Sequence, residues 1–451
     1  MAWTVVAAWA EEARAPAELD EIIVTATRSE MTSYDTPGST NVITPTELAR
    51  RMPIGAIDAL YDEPGVMTQR TTNGQGSPFI RGFTGYHTMV LVDGVRLNNS
   101  TFRSGPNQYF NTLNVDDVAR IEVVRGPHSV LYGSSALGGV IHARSPEPAR
   151  QGADLVLRPR LFGRFGSRAG DAVAGFSLDG GRDEVGFRVS MTRKDLGPVQ
   201  PGKGLDVHVK GRKFFLTSDE DERVLPRAYR TRTGTVASSR VYDEESISDD
   251  VSTSYRENAG SAALTWMPSD RSSVRLAYQG VRQEVSSRWD KVASGEEFER
   301  LEYDPQERHL MYGSYSVTAP ATGVDRLTAT LSFHRQIEGQ TQLKVDADPV
   351  SNLSRTEDTV STVGGSLVGE SHAGGRHDLT YGVDAYADSV ASQRVLPTPR
   401  PWGRYPHGSS AFDVSAFVQD EISAGGALTV SLGANATYYR VTSDLSLEDP
   451  A

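Results

Sequence analysis

The chain has 451 residues, a formal net charge of −12 and no cysteine. This length exceeds the usual single-domain range, so two or more domains are expected. Without cysteine there is no disulfide scaffold and no Cys-ligated metal site. The negative charge excludes nucleic acid as an expected partner, because phosphate binding requires a basic face. No run of about 18 apolar residues occurs, so no transmembrane helix is predicted.

The N-terminal region is interpreted as a leader. The apolar run from Trp3 to Trp9 precedes Ala10 and Glu11-Glu12, which is typical of the end of a signal peptide. Residues 1–19 are therefore predicted to be a signal-peptide remnant and flexible leader, with a disordered Ala-rich leader as the alternative. A short β-prone segment follows within a linker over 20–30, formed by Asp20, Glu21, Ile22, Ile23, Val24, Thr25 and Ala26. Such a segment can add as a strand to another protein's sheet edge.

Residues 31–147 have a mixed α and β pattern. Thr44 can cap a helix whose first turn contains Pro45, and Glu47 completes a capping box. Further along, Val90–Val92 predicts a strand that enters the Asp93-Gly94 turn, which is a strong hairpin signal. This region is therefore predicted to be a separate α+β domain.

Residues 152–451 consist of long alternating strands. For example, apolar residues at 185, 187, 189 and 191 alternate with small or polar residues at 186, 188, 190 and 192. About eleven strands are predicted. Short turns are expected at 180–183, 268–271, 319–324, 373–376 and 424–426, and long connections at 195–255, 287–305, 341–357 and 391–410. Short turns at one end and long loops at the other are typical of an outer-membrane barrel.

Four motifs in the α+β domain resemble, in order and spacing, the plug domain of TonB-dependent outer-membrane receptors. They are FIRGF at 79–83, VLVDGVRLN at 90–98, IEVVRGP at 121–127 and LYGSSALGGVI at 131–141. The resemblance implies an α+β plug domain inside an antiparallel transmembrane β-barrel. It also implies location in the bacterial outer membrane and no enzymatic activity. The family's barrel has 22 strands, about half of which are present here.

The resemblance also implies roles for particular residues. Residues 20–26 are similar to the family's TonB box, which binds the energy-coupling protein TonB. Plug arginines at Arg81 and Arg125, with the adjacent Gly82 and Gly126, are implied to anchor the plug to barrel glutamates. Since only about 20 residues precede the TonB box, a transporter is expected rather than a receptor with an extra signalling domain.

Two loops of the plug are expected to meet the ligand, at 69–78 and 98–110. The second combines hydrogen-bond donors with aromatic rings, which suits an anionic metal chelate and suits loop packing equally well. Its candidate ligand-binding residues are Phe102, Arg103, Asn107, Gln108 and Tyr109. A ferric siderophore is the expected ligand because that class predominates in the family, and haem and cobalamin are alternatives. Outer-membrane lipid and lipopolysaccharide are further expected partners.

Other chemistry is not favoured by the sequence. Acidic clusters at 219–222 and 243–250 could bind Ca²⁺, but without EF-hand spacing a solvated loop is the simpler interpretation. No metal-ligand motif, nucleophile elbow or phosphate loop is found, so no metal or cofactor is predicted. A passive porin, an attachment protein for colicins or phages and a soluble β-rich enzyme are less favoured alternatives.

Eleven strands are too few for this family's barrel. An open sheet edge in lipid exposes unpaired backbone groups, and the last five residues, LEDPA, differ from the aromatic end of family barrels. A C-terminally truncated reading frame or fragment is therefore expected, and a non-functional receptor is one consequence. A smaller closed barrel of eleven strands would be too narrow for the plug.

Overall fold

The computed structural model of the protein describes residues 27–29, 38–149, 152–167, 170–197, 254–284, 286–288, 291, 298–344, 353–396, 399–400, 402–425 and 428–443. Nine further short strands are described by their backbone only, at 2–5, 22–23, 31–32, 206–209, 212–214, 222–226, 229–231, 234–236 and 239–243. The strand Ala2–Val5 pairs with the first strand of the large sheet. The rest of the predicted leader lies outside the described residues, so that assignment stays a prediction.

Within residues 38–149, the structure describes seven strands and two short α-helices. The strands are β1 Ser39–Ile43, β2 Val66–Thr72, β3 Gln75–Ile80, β4 Thr88–Val92, β5 Val95–Arg96, β6 Arg120–Arg125 and β7 Gly139–Arg144. The helices are α1 Pro45–Arg51 and α2 Ser129–Tyr132. Single 3₁₀ turns lie at Ala56–Leu60, Gly85–His87, Tyr109–Thr112, Val115–Asp117 and Ser134–Ala136.

The predicted capping box begins helix α1. The Glu47 backbone N–H donates to Thr44 Oγ1 at 3.3 Å, and the Thr44 N–H donates to the Glu47 carboxylate at 2.9 Å. Pro45 occupies the first turn, where its missing N–H has no intrahelical role. The helix ends at Met52, whose φ of 47° is left-handed. The sequence signal and the observed start of the helix therefore agree.

A five-stranded sheet in the order β1-β6-β7-β4-β5 forms the centre of the plug. The β7–β4 pairing is parallel and the other pairings are antiparallel. Ile121, Val123 and Ile141 are buried in one apolar cluster with Leu60 of the first 3₁₀ turn. This core is continuous with Leu310 and Tyr312 of the large sheet, so the two regions share buried apolar contacts.

The second region is one large antiparallel sheet. Of its thirteen strands, eleven form a continuous meander, while Ala2–Val5 and Ser286–Ser287 add to it at β8 and β13. The eleven are β8 Val156–Gly166, β9 Asp171–Arg182, β10 Val185–Leu196, β11 Tyr255–Ser269, β12 Ser272–Glu284, β13 Phe298–Ala321, β14 Val324–Lys344, β15 Ser354–Ala373, β16 His377–Leu396, β17 Ser409–Ser423 and β18 Thr429–Thr442. The predicted strand number is confirmed, and β8 and β18 do not pair within the described residues.

The connections differ at the two ends of the sheet, as predicted. At one end, tight turns lie at 183–184, 270–271, 322–323 and 374–376. At the other end, the connections after β10, β12, β14 and β16 are longer. They are nevertheless shorter than predicted after β12, β14 and β16, because strands β13 to β16 have 20 to 24 residues. A tilted strand needs only about 9–11 residues to cross a bilayer, so these hairpins extend beyond it.

The two faces of the large sheet have opposite polarity. On β10, the outward residues Val185, Val189 and Met191 are exposed, whereas Arg188 and Lys194 on the inward face are buried. The alternation predicted from the sequence is therefore confirmed, with the apolar side facing away from the plug. This polarity fits a wall with lipid outside and a polar interior. Among the described residues, no helix is both long and apolar enough to cross a membrane.

The exposed apolar residues of the outward face allow a prediction about the stability of the protein in lipid. Leu276 lies in the apolar band of β12 and is exposed, so replacing it with arginine should cost about 2–4 kcal/mol near the bilayer midplane. Denaturant unfolding of L276R in lipid vesicles measures this change. The matched control is S389R, outward on β16 between Ser361 and Ser410, which should unfold like the parent. Equal losses in both variants would contradict the assignment of the band.

Candidate functional site: the plug–barrel interface and its apical loop

Lys194 illustrates how the inward face of the sheet receives the plug. Its side chain is 1% exposed. Its Nζ lies 3.3 Å from Asp116 of the plug and 2.9 Å from Glu257 of β11, and it also donates to the Ile54 carbonyl at 2.9 Å. A buried ammonium is stable only when its charge and its donors are matched. The plug and the sheet therefore complete one ionic site together.

The neighbouring residues of the plug make similar contacts. Asp116 also pairs with Arg164 of β8 at 2.5 Å, and Asp117 pairs with Arg188 of β10 at 2.8 Å. Both aspartates lie in the 3₁₀ turn that Asn114 caps with its side-chain oxygen. This turn places the two carboxylates against three cations of the sheet. Asp116 and Asp117, which are adjacent in the sequence, thus supply the carboxylates of an ionic cluster between the plug and the sheet.

The predicted Asp-Gly turn joins β4 to β5 and contacts the sheet. Asp93 and Gly94 have φ angles of 48° and 85°, which is the left-handed pair required by a type I′ turn. Tyr312 Oη of β13 donates to Asp93 at 2.8 Å. Burial alone would raise the pKa of Asp93, but the Arg275 and Arg144 guanidinium groups and hydrogen bonds from Ser145 lower it overall. Asp93 is therefore an ionised contact between the turn and the sheet.

His142 supports the same turn from inside the plug. It is 2% exposed, and its Nε2 accepts a hydrogen bond from the Gly94 backbone N–H at 2.8 Å. An accepting Nε2 requires the neutral imidazole with its proton on Nδ1. Burial and the nearby Arg144 guanidinium lower the pKa of His142 to about 4. The histidine thus stays neutral while the turn is in place.

Two arginine–aspartate pairs connect the plug to strands β16 and β17. Arg28, just after the predicted TonB box, forms a bidentate pair with Asp384 at 2.7 and 3.2 Å. Its guanidinium also lies 4.3 Å from the Tyr132 ring centroid and 4.4 Å from that of Phe417. Bidentate, ring-stacked arginine is a specific anchor that lysine does not replace. The segment that follows the predicted TonB box is therefore held on the sheet.

The second pair is formed by Arg96, which follows the Asp-Gly turn. Its guanidinium binds Asp413 at 2.6 and 3.1 Å and lies 3.9 Å from the Tyr386 ring centroid. A cavity of about 120 Å³ lies between the two pairs and is lined mostly by polar groups, including both arginines and both aspartates. Thus the plug contacts this part of the wall through discrete polar anchors around an open space.

The apical loop brings the predicted ligand-binding residues together near the long-loop end. Phe102 and Tyr109 pack with ring centroids 4.8 Å apart and are buried, as is Asn107. Gln108 is buried and donates to the Glu338 carboxylate of β14. Arg103 is exposed and donates to Gln108 at 3.0 Å. Four of the five residues therefore support the loop, and Arg103 presents a guanidinium at its surface.

The sheet surrounds this loop with an ionic network that the sequence did not reveal. Arg404, in the connection after β16, pairs with Glu338 and Asp358 of neighbouring strands. Tyr405 Oη donates to the Thr101 carbonyl at 3.3 Å. The loop after β16 and the apical plug loop therefore share one carboxylate, that of Glu338. The partners are far apart in the sequence. The only sequence signal for this network is the presence of acidic residues in those strands and of an arginine in the following loop.

The predicted anchoring arginines have different surroundings. Arg125 donates to Ser39 at 2.6 Å, to Asn41 at 2.7 Å and to the Pro64 carbonyl at 2.9 Å, all within the plug. Arg81 is exposed. Gly82 and Gly126 have positive φ angles of 87° and 106°. Within the described barrel residues, neither arginine has a glutamate partner, so that pairing stays a prediction.

Other predicted sites lie mainly outside the described residues. Of the predicted TonB box, only the backbone of Ile22–Ile23 is described, as a short strand paired with Met31–Thr32. Asp20, Glu21, Val24, Thr25 and Ala26 lie outside the described residues. The acidic clusters considered for Ca²⁺ also fall there, apart from short backbone strands. In the part of the chain that the structure describes, no three histidines or carboxylates are placed to hold a metal ion.

The fold and the interface show an α+β domain packed on the polar face of a large antiparallel sheet. Residues 32–140 match the family model described as the TonB-dependent Receptor Plug Domain. The vitamin B12 transporter BtuB of Vibrio vulnificus strain YJ016 is 37% identical over 135 residues, which are 29% of this chain and 21% of that protein. The match therefore covers about a fifth of the length of this curated relative.

Solved structures share the fold of both regions. The copper transporter OprC superposes with a TM-score of 0.65 and 16% identity, over 90% of this chain and 55% of that one. A variant of the ferric enterobactin receptor from Pseudomonas aeruginosa gives 0.62 and 16% identity, over 93% and 59%. Residues 32–140 are therefore a plug domain of the kind found in TonB-dependent receptors, and the plug together with the large sheet has the fold of these solved structures.

The buried histidine makes a prediction about pH dependence. In the unfolded chain the pKa of His142 is near 6.5, and in the folded plug it is about 4. Between these values the unfolded state binds more protons, so stability should fall as pH decreases, by up to about 1.4 kcal/mol per unit. Denaturant unfolding between pH 7 and 4 measures the slope.

The matched variant for this measurement is H142Q, which can accept the hydrogen bond from Gly94 but does not titrate in this range. The slope of its unfolding free energy against pH should be smaller than that of the parent, by the contribution of about one bound proton. H377Q provides a control, because His377 lies near a turn of the large sheet and is half-exposed. An H142Q slope equal to that of the parent would contradict the proposed linkage.

Proposed function

We propose that this chain belongs to a receptor for active uptake of a scarce nutrient across the outer membrane, energised through TonB by the inner-membrane proton gradient. The observation that supports this proposal is the packing of the plug against the polar inward face of the large sheet. A wall occupied by a packed domain does not allow free diffusion, so transport requires that the domain move or be remodelled. This argues against a passive porin.

The chemistry of the interface supports a movable plug. Many contacts between plug and wall are ion pairs and hydrogen bonds, such as Arg28–Asp384 and Arg96–Asp413. Such groups can exchange their partners for water when they separate, so their net contribution is modest compared with their number. TonB would pull through residues 20–26, and Arg28 is the first described anchor that this force would reach.

Ligand would meet the apical loop first. The exposed Arg103 guanidinium offers several donors to an anionic chelate, and the loop beneath it is fixed by Gln108 and Glu338. A ferric siderophore is the proposed ligand class. These chelates carry anionic oxygen groups that a guanidinium binds well.

Cobalamin is the second candidate, and a specific observation favours it. A stretch of 135 residues of this chain is 37% identical to a vitamin B12 transporter of Vibrio vulnificus. Equilibrium binding of ferric chelates, haem and cobalamin to the full-length receptor decides between these classes. A single class with submicromolar affinity is expected.

The test of energised transport is deletion of Glu21–Ala26. Uptake of the bound ligand by cells should fall to the level of a strain without TonB, because the segment that would pair with TonB is removed. Ligand affinity should stay within about twofold, since the apical loop is unchanged. Radiolabelled uptake and equilibrium binding measure the two quantities.

Deletion of Glu11–Pro16 is the control, because it shortens the same leader by six residues without touching the predicted TonB box. It should leave uptake near the parent level. Parent-level uptake after deletion of Glu21–Ala26 would contradict the proposed function. Equal losses from both deletions would instead assign the effect to leader length.

A further inference from the structure

One buried cation of the large sheet differs from the others in its surroundings. Among the described residues of the strands, the buried cationic side chains are Arg188 and Lys194 of β10 and Arg308 of β13, which are 7%, 1% and 2% exposed. Arg188 and Lys194 each have two carboxylate partners. Arg308 forms no ion pair with any described residue, and its contacts are with neutral groups. The plug–barrel interface therefore leaves one buried cation without a counter-charge.

Hydrogen bonds match the guanidinium of Arg308 only in part. Its Nε donates to the Thr112 carbonyl of the plug at 3.2 Å, and its Nη2 donates to the Gln279 side-chain oxygen of β12 at 3.4 Å. Its Nη1 has no hydrogen-bond partner in the part of the chain that the structure describes. Burial of a charged donor without a partner is unfavourable. A further group is therefore expected beside Nη1.

A small cavity lies beside Arg308, between the plug and the sheet. Its volume is about 20 Å³, and a water molecule requires roughly 10–15 Å³, so it can hold a single small species. Its polar lining includes Gln279 of the sheet and Asn114 of the plug. Gln279 donates one amide N–H to Ser145 at 2.7 Å, and Asn114 donates one to Thr192 at 3.3 Å. Since each amide carries a second N–H, the lining contains more donors than these contacts use.

The carboxylates around Arg308 are already paired with other cations. Asp117 lines the cavity, Glu257 is an electrostatic neighbour of Arg308, and Glu338 is diagonal to Arg308 across the β13–β14 pairing. Asp117 and Glu257 have their own cationic partners at 2.8 and 2.9 Å, and Glu338 pairs with Arg404. The negative charge of each is thus largely balanced before Arg308 is considered.

The size of the cavity and its donors define the class of ligand that fits. A phosphate or carboxylate group is too large for a space of this volume, and a metal cation would be repelled by the guanidinium. A water molecule would satisfy Nη1 but would supply no counter-charge. A monatomic anion supplies the charge and can accept N–H bonds from several directions at once.

We propose that the cavity beside Arg308 binds one halide ion, which is chloride under natural conditions. The ion would give Arg308 the counter-charge that carboxylates give Arg188 and Lys194. Because Asn114 belongs to the plug and Arg308 to the sheet, the ion also links the two regions. No residue of this site lies in the apical loop or in the predicted TonB box, so the site is independent of the proposed uptake.

A crystallographic test uses the full chain crystallised in sodium bromide, because bromide replaces chloride and scatters anomalously. Crystals of the parent should show an anomalous peak beside Arg308 Nη1, and crystals of R308Q should show none there. The matched control is R335Q, which removes an exposed arginine of the neighbouring strand β14. Crystals of R335Q should retain the peak.

Denaturant unfolding in lipid vesicles tests the same site in solution. Chloride is varied at constant ionic strength against gluconate, which is too large for the cavity. Above the dissociation constant, each tenfold increase in chloride should raise the folded-to-unfolded ratio of the parent and of R335Q about tenfold. R308Q should show no such dependence. In gluconate alone it should be at least as stable as the parent, because it lacks the uncompensated charge.

Absence of the anomalous peak from parent crystals would overturn the proposal and assign the cavity to water. A peak without chloride-dependent unfolding of the parent would also overturn it, as binding at crystal concentration only. Equal chloride dependence in R308Q and the parent would assign the effect to ions in general. If R308Q does not fold, the parent in chloride and in gluconate still decides. None of these results depends on nutrient uptake, so failure here is distinguishable from failure of the proposed transport function.

Discussion

The structure depends on the burial of charge between the plug and the inner face of the sheet. Lys194, with 1% of its side chain exposed, has carboxylates from both regions as partners. Removing one member of such a site leaves an uncompensated buried charge, which is far more costly than losing an exposed pair. Neither the wall nor the plug is therefore electrostatically complete alone, and this mutual requirement fixes how they pack.

The same requirement explains the inverted polarity of the sheet. In a soluble sandwich, the apolar side of each alternating strand would face the core. Here, the inward side of β10 carries Arg188, Ser190, Thr192 and Lys194, while the outward side carries valine, phenylalanine and methionine. A polar interior allows a domain to be held by many exchangeable contacts, and an apolar exterior suits lipid. The proposed movement of the plug thus takes place against the polar face of strands whose other face is apolar.

The sequence predicted the elements well because their signals are local. Period-two alternation predicted the eleven strands, Thr44 and Glu47 predicted the start of α1, and Asp93-Gly94 predicted the hairpin turn. The apical loop was also located near the long-loop end. These features depend on backbone preferences and on which face of a strand is apolar. Both can be recognised from about ten residues of sequence.

The partners in the interface were not predictable in the same way. Arg28 and Asp384 are separated by 356 positions, and no local pattern relates them. The sequence pointed to Arg81 and Arg125 as anchors, whereas the described ion pairs with the wall include those of Arg28, Arg96, Asp116 and Asp117. Likewise, four of the five loop residues expected to bind ligand are buried as supports. Which polar side chain faces a partner depends on the docking of two domains, which residue type alone does not determine.

A double-mutant cycle of Arg96 and Asp413 tests most directly whether buried charge pairs hold the plug on the wall. Their side chains are 18% and 12% exposed, and the pair is bidentate. Unfolding free energies of R96A, D413A and the double variant should give a coupling energy of about 1–3 kcal/mol. The exposed pair Arg256–Asp195 should give less than about 1 kcal/mol. Additive losses at Arg96 and Asp413, within about 0.5 kcal/mol, would contradict the account.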